Sequence, residues 1–189
     1  MTRVLIPLAE GFEELEAVTV VDLLRRAQFE VIAAGLGGGE PVEGSRGTVV
    51  VPDSSLDVVL PQEFEMIVLP GGLPGSDNLN RDPRIHQLLR GMVAAGKYVA
   101  AICAAPKVLA SAGLLAGKRA TAFPGVLEQM DVPDIRLSPD AVVRDGNIIT
   151  SRGPGTAMDF ALELVEVLAG KERRKTVEMA LQRINEKTA

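Results

Sequence analysis

Cys103 is the only cysteine in the 189 residues, and its surroundings suit a working thiol better than a filler. The segment Tyr98-Val-Ala-Ala-Ile-Cys103-Ala-Ala-Pro106 passes from an apolar run into the helical pattern KVLASAG, which places the sulfur at a strand-to-helix turn. Proline suits the first turn of a helix, and the small residues Ala101, Ala104 and Ala105 leave room for a sharp bend like the elbow that presents hydrolase nucleophiles. A thiol at a helix N-terminus is expected to have a lowered pKa, and the backbone N–H of Ala104 is placed to bind a developing oxyanion. A lone cysteine without context is more often an inert core residue. Here the position argues for reactivity.

A nucleophile needs a proton acceptor. The one histidine, His86 in RDPRIHQLLRG, has charged neighbours and no evident acidic orienter, so a solvated helix position is expected and a Cys-His-Asp hydrolase is unsupported. The remaining candidates are carboxylates in Glu10-Gly-Phe-Glu13-Glu14-Leu-Glu16. Acidic residues in a first helical turn offset the dipole, which accounts for Glu13 and Glu14 without any chemistry. Glu16 is followed at i+4, i+7 and i+11 by Val20, Leu23 and Ala27, a row that faces a core. Glu13 precedes Ala17, Val20 and Leu24, so spacing alone leaves both open. A carboxyl in such a row has a raised pKa and can donate a proton at neutral pH.

Two glycine turns belong to the same rim. Leu69-Pro70-Gly71-Gly72 follows an apolar strand, which allows close backbone approach at Gly72, and Arg152-Gly-Pro-Gly155-Thr156 leads into a helix. Two others are decoys. GLGGGE has Glu40 where a dinucleotide loop needs its last glycine, and no helix follows. Gly91-MVAA-Gly96-Lys97 has Tyr98 in place of the Mg²⁺-binding hydroxyl and joins helix to strand, the reverse of a phosphate loop. Gly96 reads instead as a helix C-cap. No cofactor and no metal is expected.

The elements that hold these residues alternate. Arg3 to Pro7, Phe29 to Ala34, Glu65 to Leu69 and Lys97 to Ile102 read as buried strands; Glu13 to Ala27, Pro83 to Ala95 and Thr156 to Leu168 read as amphipathic helices. That order predicts an α/β fold with a doubly wound, mostly parallel sheet and a site at the carboxyl ends of its strands. Asp145-Gly146 between AVVR and NIITS signals an added β-hairpin, and GLGGGEPVEGSRG reads as a surface loop. The length fits one domain spanning 1–189. A net charge of −5 and a pI near 5.0 argue against obligatory nucleic acid or anionic membrane and favour a small or neutral partner. One cysteine, no signal-like N-terminus and no apolar run of about 20 residues point to the cytoplasm.

Taken in order and spacing, GFEELEAVTVVDLLRRA, SRG, VLPGG, AAICAAP and TSRGPGTAMDFAL resemble the ThiJ/PfpI superfamily, in particular its parkinsonism-associated deglycase branch and bacterial ThiJ/YajL-like relatives. The resemblance spans nearly the whole chain. It implies a flavodoxin-like sandwich, a homodimer, and an oxidation-prone Cys103 partnered by a protonated Glu16, with the Gly72 and Ala104 amides as oxyanion donors. Two departures stand out: Phe123 precedes Pro124 where animal members carry histidine, and Ala104 follows the cysteine where the protease branch carries histidine. Protease activity is therefore not expected. The implied function is a cysteine-dependent deglycase or glutathione-independent glyoxalase acting on methylglyoxal, glyoxal and their adducts. The alternative is a redox sensor or oxidative-stress chaperone that uses oxidation of Cys103 without turnover.

Overall fold

The computed structural model describes residues 1–183. In chain order the elements are β1 (Arg3–Leu8), α1 (Glu14–Arg26), β2 (Glu30–Gly35), β3 (Val42–Glu43), β4 (Val49–Val50), β5 (Ser54–Ser55), α2 (Leu56–Val59) and β6 (Met66–Leu69). There follow α3 (Gly75–Arg81), α4 (Pro83–Ala94), β7 (Tyr98–Ile102), α5 (Pro106–Ser111), β8 (Arg119–Ala120), β9 (Arg136–Leu137), β10 (Val142–Asp145), β11 (Ile148–Ser151) and α6 (Ala157–Ala180). Helix α6 breaks at Gly170, whose φ of 82° is outside the helical range.

Seven strands form one sheet in the order β10-β11-β7-β6-β1-β2-β5. Every neighbouring pair is parallel except β10 with β11. Continuous apolar strands such as Met66-Ile-Val-Leu69 follow from burial on both faces. Alternation sends Val4, Ile6, Leu8 and Val68 to a core under α1 and α6. It sends Leu5, Ile67 and Leu69 to a second core that also holds Leu79, Ile85, Leu89 and Val108 from α3, α4 and α5. This is the doubly wound α/β sandwich expected from the sequence.

One expected feature appears as read and one differs. The Asp145-Gly146 turn makes the expected hairpin, and β11 pairs in parallel with β7, so the hairpin is grafted on the edge of the main sheet. The stretch read as a surface loop contains β3, which pairs with β4 in a small extra hairpin and buries Val42. Two-residue strands are too short to leave a periodic signal.

Candidate active site

Parallel strands end on one edge of the sheet, and that edge carries the residues singled out in the sequence. β6 ends at Leu69 beside Ala101 of β7. Each strand then turns into a helix, so the Gly71-Gly72 turn and the Cys103 turn lie side by side. Cys103 has φ 62°, a left-handed conformation that a β-carbon disfavours. Its N–H donates to the Ser151 carbonyl at the end of β11 (2.9 Å), and its own carbonyl accepts from Phe123 N (2.9 Å). Pro106 opens α5, as the sequence indicated. Bonds on both sides hold the strained backbone, which is the elbow geometry.

Glu16 lies on the inward row of α1 with Val20, Leu23 and Ala27 and is 0% exposed. Its Oε2 accepts from Gly71 N at 2.8 Å. Its Oε1 is buried without a hydrogen-bond partner, and the Cys103 side chain lies close enough to the carboxyl to bear on its ionisation. Burial raises the Glu16 pKa to about 7, aided by the nearby Glu13 charge and opposed by the Gly71 N–H. Glu13 is only half-buried; its carboxylate accepts from Ser45 Oγ (2.9 Å) and its N–H donates to Gly71 O (3.0 Å). The choice that spacing left open falls to Glu16 as the carboxyl beside the sulfur.

The thiol departs from the sequence reading, which expected a lowered pKa. Burial, reinforced by the Glu16 carboxyl, pushes it up to about 12, and the N–H groups of Ala104 and Gly72 that point at the sulfur offset only part of this. Helix α5 has six residues, too few to exert a full macrodipole. Both partners are raised chiefly by burial; the Glu16 carboxyl adds to the rise at the sulfur, whereas the thiol draws the carboxyl slightly down. Between roughly pH 7 and 12 the pair therefore holds a single proton.

The four residues singled out in the sequence, Cys103, Glu16, Gly72 and Ala104, thus meet at one point. Sequence reasoning missed Gly71. A β-carbon there would come within 2.7 Å of Cys103 Cβ and 2.8 Å of Glu16 Oε2, so only glycine lets the turn pass beneath the pair. At Gly72 (φ 88°) a β-carbon would lie 2.4 Å from Glu13 N. Two adjacent glycines carry no sign of which amide faces which partner. Glu14, expected as a solvated first-turn acid, is buried instead. It accepts from Arg46 N (2.7 Å) and Thr48 N (3.1 Å) and ties the β3–β4 hairpin to α1. His86 is half-buried on α4, where its Nε2 bonds Asn80 O (2.7 Å), and no hydrogen bond joins it to Cys103 or Glu16. The Arg152–Thr156 turn reaches the site only through its neighbour Ser151; Gly155 is exposed.

A doubly wound sheet with a cysteine elbow and a buried glutamate beneath it defines a class of flavodoxin-like α/β proteins. Comparison narrows the class. Residues 2–167 match the DJ-1/PfpI family. Protein dj-1beta of Drosophila melanogaster is 46% identical over 177 residues, covering 94% of this chain and 95% of that one. Glutathione-independent glyoxalase DJR-1.2 of Caenorhabditis elegans is 39% identical, covering 89% of each chain. The solved structure of oxidized Toxoplasma gondii DJ-1 superposes with a TM-score of 0.92 at 38% identity, covering 98% of this chain and 100% of that one. The chain belongs to the DJ-1/PfpI family.

Proposed function

We propose that this protein is a cysteine-dependent enzyme that converts methylglyoxal, glyoxal and their early adducts without glutathione. The observation that carries the reading is the fully buried Glu16 carboxyl, held by the Gly71 N–H and set beside Cys103 in a turn lined by the Gly72 and Ala104 amides. The thiolate adds to the aldehyde carbon of methylglyoxal, and the oxygen takes up the proton to give a hemithioacetal. The Glu16 carboxylate removes the remaining hydrogen of that carbon as a proton and returns it to the neighbouring ketone carbon, while the hydroxyl proton passes to the former ketone oxygen, leaving a lactoyl thioester. Water hydrolyses the thioester to lactate and restores the thiol pair. One carbon is oxidised as its neighbour is reduced, so no outside oxidant is needed. The two amides stabilise oxygen charge at each addition. The glyoxalase relative supports the assignment. Purified protein with methylglyoxal and no glutathione is expected to form lactate, and Cys103→Ala is expected to form none above background; equal rates would reject the reading.

A second reading has support in the oxidized Toxoplasma gondii relative. Peroxide would oxidise Cys103 to a sulfinate, whose oxygens would take the Glu16 proton as a hydrogen bond. Such a sensor or stress-protective chaperone changes state once per molecule.

No helix among the described residues is long and apolar enough to cross a membrane. A pairing surface is proposed on α1 and the β3–β4 hairpin. Leu15 (52% exposed) and Val18 (50%) lie on the helix, and Val49 (57%) and Val51 (72%) lie at the hairpin that Glu14 ties to it. A patch of this kind marks an interaction site and suits an isologous dimer. Light scattering is expected to give twice the 20.0 kDa chain mass. A monomer at all concentrations would refute it.

A further inference from the structure

The proposed chemistry needs the Gly72 and Ala104 N–H groups aimed at one point, yet different turns carry them. Gly72 precedes α3 and is held within its own segment, since its carbonyl accepts from Ser76 N (2.9 Å) and Ser76 Oγ (2.8 Å). Ala104 precedes α5, whose first turn closes on itself through Ala105 N to Ile102 O and Val108 N to Ala105 O. Beyond the β6–β7 ladder and the contacts to the sulfur, one hydrogen bond joins these segments among the described residues: Lys107 Nζ donates to Asp77 Oδ1. It is also an ion pair, and the Lys107 side chain is only 19% exposed.

Lys107 is the second residue of α5, and Asp77 lies in the first turn of α3. The lysine gives up most of its hydration to reach across from one turn to the other. A half-buried pair restrains its elements most when both partners are present, because either alone leaves a charge without a partner.

We propose that the Lys107–Asp77 pair is a brace that sets the spacing of the Gly72 and Ala104 amides, making both side chains positioning residues for the Cys103 site. This rests on the reading that those amides stabilise charge on sulfur and substrate oxygen. Neither side chain touches the reacting atoms. The brace keeps two donors converged, and donors that drift apart stabilise an anion less.

The test compares wild type with Lys107→Met, Asp77→Asn, the double variant and Lys107→Arg. Readouts are the pH profile of Cys103 alkylation by iodoacetamide, kcat and KM with methylglyoxal, and Tm. In either single variant misaimed amides favour the thiolate less, so the alkylation profile moves to higher pH. The kcat is expected to fall about tenfold with little change in KM, since one weakened oxyanion donor costs at most 10² to 10³. The double variant should be no worse than a single one, and Lys107→Arg, which keeps the pair, should stay near wild type. A pure charge effect would move the two profiles in opposite directions, because losing the cation disfavours the thiolate and losing the anion favours it. Opposite shifts, unshifted profiles, or losses that track Tm alone would overturn the brace. If wild type shows no dicarbonyl turnover, the enzymatic reading fails, while the alkylation profiles still decide the brace.

Discussion

Replacing Glu16 with Gln is expected to lower methylglyoxal turnover by a factor on the order of 10² to 10⁴, the usual contribution of a positioned acid-base group. Gln has the size of Glu and keeps an oxygen to accept the Gly71 N–H that now bonds Oε2 at 2.8 Å. Its amide can donate toward the sulfur, so the shape of the site and the Cys103 elbow survive. What is lost is the group that both gives and takes a proton near neutrality. Glu16→Asp keeps that proton but withdraws it by one methylene from a sulfur held by backbone bonds, and activity should fall as well. Steady-state lactate formation with Tm as a folding control separates the two effects. Full turnover in a folded Glu16→Gln would move the acid-base role elsewhere, with Glu13, whose charge already reaches the pair, next to be tested.

The second large effect concerns pH. Below about 7 the pair is neutral, and as pH rises through that value it loses its first proton. In the proposed site the remaining proton passes between the two groups, which makes part of the monoanion thiolate with the proton on Glu16, so Cys103 alkylation should climb through about 7 and level off. The second proton leaves only near 12. In Glu16→Gln the step near 7 has no carboxyl to produce it and should vanish. A single thiol titration should remain, below about 12, because the repelling carboxylate is gone while the Gly72 and Ala104 amides stay. A step near 7 that persists unchanged in Glu16→Gln would show that the thiol titrates independently of its neighbour.

The sequence carried the main strands and helices because apolar runs and spaced apolar rows report burial directly. β1, β2, β6 and β7 lie within a residue or so of where those runs place them. Helix α3 was invisible: GSDNLNR has one large apolar residue, and Pro74 before it supplies no side-chain cap. The paired two-residue strands β3–β4 and β8–β9 offered no period to detect. In the site, Cys103 and Ala104 were legible from the apolar-to-helical switch around Pro106, and Gly72 from its place after a strand. Two things needed coordinates. One was the difference between Glu13, hydrogen-bonded to Ser45, and Glu16, sealed beneath Gly71, since both sit on inward-reading rows. The other was the direction of the thiol shift. A helix N-terminus can be read from residue types, whereas the burial that outweighs it cannot.

Turnover itself is tested most directly by counting moles of lactate released per mole of protein from excess methylglyoxal, without glutathione, in wild type and Cys103→Ala. The shared-proton site regenerates its thiol after each thioester hydrolysis, so the account predicts many lactates per chain in wild type and none above background in the variant. At most one per chain, with Cys103 left modified, would contradict it and leave a thiol that reacts once.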